Sequence, residues 1–242
     1  MPYLTSSQTE WVKVLALITM IFDHVGVAFS DTSPYFLFCR IIGRFSFLAF
    51  GFVIALNLSR DNVNFSSYFS WMFITALSSE MFFKLFYPEY EKVNVLFQFF
   101  AVIGVVWVYQ NRQYFHFLIQ SVLYALFLFI SFHADYSWFG LLYCLACYLF
   151  FQTSKQQDRV IGMLGCVLSA FLVNYQFLVG LWRSGLWFFI ILSVGFTLFY
   201  LFSPKGIRNN KLDILRIKKL FFYAFYPLHL LMVTGIKYFI IS

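Results

Sequence analysis

Stretches of about 17 to 25 mostly apolar residues, long enough as helices to cross the hydrocarbon core of a bilayer, follow one another along this chain with only short polar joints between them. Nine such runs can be drawn: Trp11 to Phe29, Phe36 to Leu58, Phe65 to Tyr87, Val93 to Tyr109, Tyr114 to Phe132, a shorter one at Trp138 to Phe151, Val160 to Val179, Gly185 to Phe202, and Leu220 to Ile241. A backbone in lipid must satisfy its own polar groups, and runs of this length do so as helices. The expected fold is therefore all-α: one polytopic transmembrane helical bundle of about nine spans occupying residues 1–242 as a single domain. The seventh run is the one expected to deviate, because Asn174, Gln176 and Arg183 make its end polar enough for a re-entrant segment.

Composition agrees with lipid as the solvent: 62% of residues are hydrophobic, only 11% are charged, and mean hydropathy is +0.78. The net charge of +7 would suit nucleic acid, but the basic residues sit in short joints between apolar runs, so nucleic acid is discarded as a partner. With nine spans, the N-terminus shares a side with Arg60, Arg112, Lys155, Arg159 and the basic Ser203 to Lys219 segment, while the opposite side holds only Lys84, Lys92, Arg183 and Lys237. The positive-inside rule then puts the N-terminus in the cytoplasm and the C-terminus outside. The first run is read as a retained helix rather than a cleavable signal, since it carries Asp23 and His24 and is a full membrane width long. Cys39, Cys144, Cys147 and Cys166 all lie in apolar runs and are read as packing residues, with no metal expected.

Ionisable groups inside spans cost about 2.5 to 3.5 kcal/mol each to insert, so each is a candidate for function. Asp23 and His24 lie near the outer end of the first span, and Arg40 and Arg44, one turn apart on the second, fall at similar depth. Glu80 in the third span, Asn94 at the head of the fourth, Tyr136 and Ser137 before the sixth, and His229 beside Pro227 in the ninth could line one polar cavity with them. The plainer alternative is an Asp23–Arg44 ion pair that only locks two helices together, and for His24 a bond to a backbone carbonyl. His229 is read either as a second acid/base group or as a structural donor. Lys13 and His24 are eleven residues apart, an advance of about 1100°, which leaves them within about 20° on one helix face. That face runs from a cytoplasmic cation to an imidazole about 16 Å deeper, a line suited to a long anionic thioester donor such as acetyl-CoA. Arg60, at the inner end of the second span, marks the interface or contacts a phosphate.

The run Trp11-Val-Lys-Val-Leu-Ala-Leu-Ile-Thr-Met-Ile-Phe-Asp-His24 resembles the opening of the TraX family of conjugal-transfer pilin acetylases. Gly43-Arg44-Phe45-Ser46-Phe47 and Leu56-Asn57-Leu58-Ser59-Arg60 resemble that family's Gly-Arg element and the end of its second helix. Asn94-Val95-Leu96-Phe97, Ser137-Trp138-Phe139-Gly140-Leu141-Leu142 and Phe222-Tyr223-Ala224-Phe225-Tyr226-Pro227-Leu228-His229 are similar in order and spacing, so the likeness covers nearly the whole chain. Two positions depart from it: Leu48 stands where the family carries Pro, and Glu80 where Gln is expected, which bears on acceptor choice. The Lys13–His24 spacing also looks like the Arg-x10-His pattern of the broader membrane acyltransferase superfamily, with Lys for Arg.

The resemblance implies an acetyltransferase of the bacterial inner membrane that moves an acetyl group from acetyl-CoA to the N-terminal amine of a pilin subunit. In that scheme Lys13, Arg40 and Arg60, with the Ser203 to Lys219 segment, hold the cofactor. His24, Asp23, Arg44 and His229 form the catalytic group, and Glu80, Asn94, Tyr136 and Ser137 face the acceptor. A sugar or other acceptor, a transporter or flippase, and a non-catalytic subunit of a pilus machine are the rival readings.

Overall fold

The computed structural model describes residues 4–29, 35–182, 185–203 and 218–241. They form ten α-helices: α1 (Ser6–Phe29), α2 (Phe36–Leu58), α3 (Phe65–Phe86), α4 (Val95–Gln110), α5 (Phe117–His133), α6 (Ser137–Gln152), α7 (Gln156–Val173), α8 (Tyr175–Gly180), α9 (Trp187–Phe202) and α10 (Lys219–Ile241). Among the described residues the one β-type contact is an isolated bridge between Val93 and Ala134, so the fold is an all-α bundle as expected. Ser6–Phe29, Phe36–Leu58 and Leu220–Phe239 are long and apolar enough to cross a membrane, and Val95–Gln110, Phe117–His133, Ser137–Gln152 and Trp187–Phe202 are shorter apolar helices.

Several helices begin where a polar side chain can accept an otherwise unpaired backbone N–H. Asn64 caps α3 through Ser67 N at 3.0 Å, and Asn94 caps α4 through Leu96 N at 2.9 Å. The seventh apolar run is the exception to the one-run, one-helix pattern. It breaks at Asn174, whose Nδ2 donates to Ala170 O at 2.8 Å, and the chain restarts as the six-residue α8.

The centre of the bundle is α2, buried along most of its length, with Leu48 and Phe52 fully enclosed alongside Ile103 of α4, Tyr143 of α6, and Ile190 and Leu201 of α9. Small residues let α1 and α2 approach closely: a methyl at Gly26 would collide with Arg40 and the Phe36 carbonyl, and one at Gly43 would overlap Asp23. α10 packs on the other flank, against α3 and α1. Large apolar side chains of α5 and α7, among them Phe117, Val122, Phe129, Leu164 and Leu168, face outward, as side chains bathed in lipid would.

Between α1, α2, α3 and α10 the bundle leaves a chamber of about 900 Å³. Its α1 wall runs along Ser6, Glu10, Lys13, Leu17, Met20 and His24, a three-to-four-residue spacing that marks a single helix face, with Thr9 and Asp23 at its edge. The near end, at the start of α1 and the end of α2, holds Glu10, Lys13 and Arg60; the far end holds Asp23, His24, Arg40 and Arg44.

Candidate active site

At the far end, Asp23 bonds the Arg44 guanidinium and lies 3.4 Å from Arg40 Nη1. Arg44 Nε also donates to Arg40 O at 3.2 Å, and both guanidiniums sit over the Phe177 ring of α8, at 5.3 Å and 5.4 Å. Asp23 and Arg44 are each 8% exposed, so the pair is buried and ties α1 to α2, while both partners still line the chamber. The lock and the cavity wall are the same side chains.

The second cluster is a pair of imidazoles. His24 Nδ1 is 3.0 Å from His229 Nε2 and 3.0 Å from Met20 O, and His229 Nδ1 is 3.0 Å from Phe225 O. A carbonyl can only accept, so His229 carries its proton on Nδ1, and its Nε2 is an acceptor. The proton between the rings then belongs to His24 Nδ1, which donates to both His229 Nε2 and Met20 O. That leaves His24 Nε2 as an unprotonated nitrogen with a lone pair. The His24 ring is fixed edge-on against Phe86, 5.4 Å away, and His229 stacks on Phe225 at 5.3 Å. His24 lines the chamber; His229 stands behind it and does not.

The four residues expected to face an acceptor divide. Tyr136 lines the chamber, stacked on Phe47 with ring centroids 3.8 Å apart. Glu80 and Asn94 are turned to each other instead: Glu80 Oε2 accepts from Asn94 N at 3.0 Å and Asn94 Nδ2 at 2.7 Å, which pins the head of α4 to α3 away from the chamber wall. Ser137 also lies off the wall, with φ of 51° at the head of α6 and its hydroxyl donating to Phe132 O at 3.2 Å.

The three expected cofactor cations divide as well. Lys13 and Arg60 line the near end, while Arg40 is about 30 Å away along α2 from Arg60, beside Asp23. Lys13 Nζ bonds Glu10 Oε1 at 2.7 Å and sits 4.9 Å over the Phe222 ring. Asn57, Asn62, Asn64, Tyr68 and Lys218 complete that end. Of the basic Ser203 to Lys219 segment, residues 204–217 lie outside the described residues, as does Arg183.

Sequence reasoning passed over Asp135, Tyr90, Tyr87 and Glu10, all in the chamber wall. Tyr90 donates to Asp135 Oδ1 at 2.7 Å and Lys84 Nζ donates to Tyr90 O at 2.5 Å, so the α3–α4 and α5–α6 turns close over the far end together. Burial pushes the Asp135 carboxyl above the usual carboxylate range, against the opposing pull of the Tyr90 bond and the arginines. Asp135 and Tyr90 are 45 residues apart and in loops, so nothing in their spacing marks them as neighbours. Glu10, one turn before Lys13, was legible as a pair and overlooked.

Among known proteins, a family model described as TraX protein matches residues 8–237. No curated protein and no solved structure matches the chain.

Proposed function

The chain belongs to the TraX family, and from that premise we propose that it is a multi-pass acetyltransferase of the bacterial inner membrane, N-terminus in, that transfers the acetyl group of acetyl-CoA to the N-terminal amine of a pilin subunit. The observation that carries this reading is the continuous chamber joining a cationic near end, at Lys13 and Arg60, to His24 and Arg44 at the far end. The near end faces the cytoplasm in this reading, where acetyl-CoA is made. The far end lies toward the side from which a membrane-inserted pilin presents its amine.

The chemistry follows from the protonation pattern. The neutral amine attacks the thioester carbon, forming the C–N bond, while His24 Nε2 takes the proton that the nitrogen must lose. The resulting imidazolium is stabilised because its Nδ1–H already faces two acceptors, His229 Nε2 and Met20 O. Arg44, held rigidly by Asp23, supplies positive charge to the tetrahedral oxyanion in a site with little water. Collapse breaks the C–S bond, and the thiolate takes the proton back from His24. His229 makes no contact with the chamber, so it acts as a positioning residue that holds the His24 ring and its tautomer.

The test is transfer of labelled acetyl from acetyl-CoA to mature pilin in reconstituted membranes, with CoA release followed in parallel. Acetylated pilin that requires both the protein and His24 supports the reading. Unimpaired transfer by a folded His24→Ala variant overturns the mechanism. A polar chamber within the bundle also suits a translocation path; CoA release only when acceptor is present decides against that alternative.

A further inference from the structure

Asp135, in the turn between α5 and α6, is a carboxylate in the far-end wall of the chamber that the acetyl-transfer chemistry leaves without a task. Its Oδ1 accepts from the Tyr90 hydroxyl at 2.7 Å, and it makes no ion pair among the described residues. The cations around it are engaged elsewhere. Arg40 and Arg44 are taken by Asp23, while Lys84 donates to Tyr90 O and Lys92 to Asp135 O, backbone carbonyls of the two turns. Asp135 is half-buried, and its Oδ2 keeps accessible surface without a hydrogen-bond partner among the described residues.

What this oxygen accepts is set by its surroundings. Burial makes negative charge at Asp135 costly, so a donor that brings positive charge gains more there than a neutral one. The wall around it is aromatic: Tyr87, Tyr90 and Tyr136 line the same end, with the Tyr87 and Tyr90 rings 5.7 Å apart. Ring faces attract cations, and a carboxylate flanked by them suits an organic ammonium. A hard metal ion needs several oxygens, and no group of three metal-ligating side chains occurs among the described residues. The aromatic contacts run on to the reaction centre, since Tyr87 packs edge-on to Phe86 at 4.4 Å and Phe86 edge-on to His24 at 5.4 Å. An α-amino group has a reference pKa of about 7.7 to 8.0, so at neutral pH it arrives mainly as the ammonium.

Resting on the acetyl-transfer reading above, we propose that Asp135, with Tyr87, Tyr90 and Tyr136 around it, is the recognition site for the acceptor's N-terminal ammonium. Oδ2 accepts one of its N–H groups, the tyrosine rings flank the cation, and Tyr90 holds the carboxylate in place from Oδ1. Asp135 thereby sets the choice of amine over hydroxyl. His24 and Arg44 do not make that choice, since either nucleophile can lose a proton to an imidazole.

The experiment is binding of a peptide with the mature pilin N-terminal sequence to the full-length protein in bilayers, against the same peptide with its α-amine replaced by a hydroxyl and every lysine kept. The wild-type protein is expected to bind the amine about tenfold to a hundredfold more tightly, the range typical of a hydrogen bond to a charged group. Asp135→Asn keeps the shape and the bond from Tyr90 and should bring the two affinities close together. Asp135→Glu, which keeps the charge, should retain a preference for the amine. The acetyl-CoA dissociation constant should be unchanged in both variants, which reports an intact fold. Equal binding of the two peptides by wild type overturns the ammonium site while leaving acetyl transfer standing. An unchanged preference in folded Asp135→Asn overturns the assignment to Asp135. A preserved amine preference with no acetyl transfer overturns the acetyl-transfer reading and upholds the site.

Discussion

At the far end of the chamber Asp23 takes its partners from another helix, Arg44 and the half-buried Arg40 of α2, and the Asp23–Arg44 pair is buried beside Phe177. At the near end Glu10 takes its partner from one turn away on its own helix, and Lys13 is about a fifth exposed. A cross-helix buried pair is rigid because neither charge has water to fall back on, so removing one partner costs about 3 to 5 kcal/mol. A same-helix pair at i, i+3 is worth only about 0.2 to 0.5 kcal/mol. One end is built to hold geometry fixed, and the other to exchange partners. That is the division expected between a reaction centre and a binding mouth.

The largest test of this contrast is His24→Ala, expected to lower single-turnover acetyl transfer by about 10²- to 10⁴-fold, the contribution of a positioned acid/base group. The acetyl-CoA dissociation constant should stay unchanged, measured on the same preparation. Next is stability: Arg44→Met leaves Asp23 with Arg40 alone, at 3.4 Å, and should destabilise the protein by up to about 3 to 5 kcal/mol in thermal or denaturant unfolding, with most of it recovered when Asp23→Asn is added. If the single change is silent, the far end is not the rigid one.

His229→Phe should lower kcat by about tenfold and leave the KM for acetyl-CoA alone, because it removes an acceptor from His24 Nδ1–H without touching the chamber. His229→Gln, whose amide oxygen can accept that proton, should restore part of the rate, an outcome that mere loss of packing does not give. Lys13→Ala should act in the opposite sense, raising the KM for acetyl-CoA several-fold with kcat kept. The smallest effect belongs to Glu80→Gln. The amide oxygen still accepts from Asn94, so transfer should be unchanged and stability altered by less than about 1 kcal/mol; a changed acceptor preference would return Glu80 to the site.

Individual elements show how far the sequence could be read. The apolar runs gave helix positions closely, because a backbone in lipid has no alternative to helix and the run length is the helix length. The eleven-residue spacing of Lys13 and His24 placed both on the chamber face of α1, since helical periodicity is local. The same reasoning failed for Glu80 and Asn94. Depth alone grouped them with the polar residues of other spans, but Asn94 is the cap of α4 and Glu80 is its support. Arg40 was placed by depth level with Asp23 yet also given to the cofactor with Lys13 and Arg60; the structure sets it beside Asp23.

What the chain determined by itself was its all-α character, the approximate helix ends, and which faces of α1 and α2 carry charge, because those depend on neighbours within a few turns. Tertiary structure alone decided that His229 backs His24 from 205 residues away, that Phe177 covers the arginines, and that Asp135 and Tyr90 close the far end. Those contacts depend on how helices rotate and pack against one another. That rotation is set by the sum of many small side-chain contacts across the bundle, and no local pattern in the sequence encodes it.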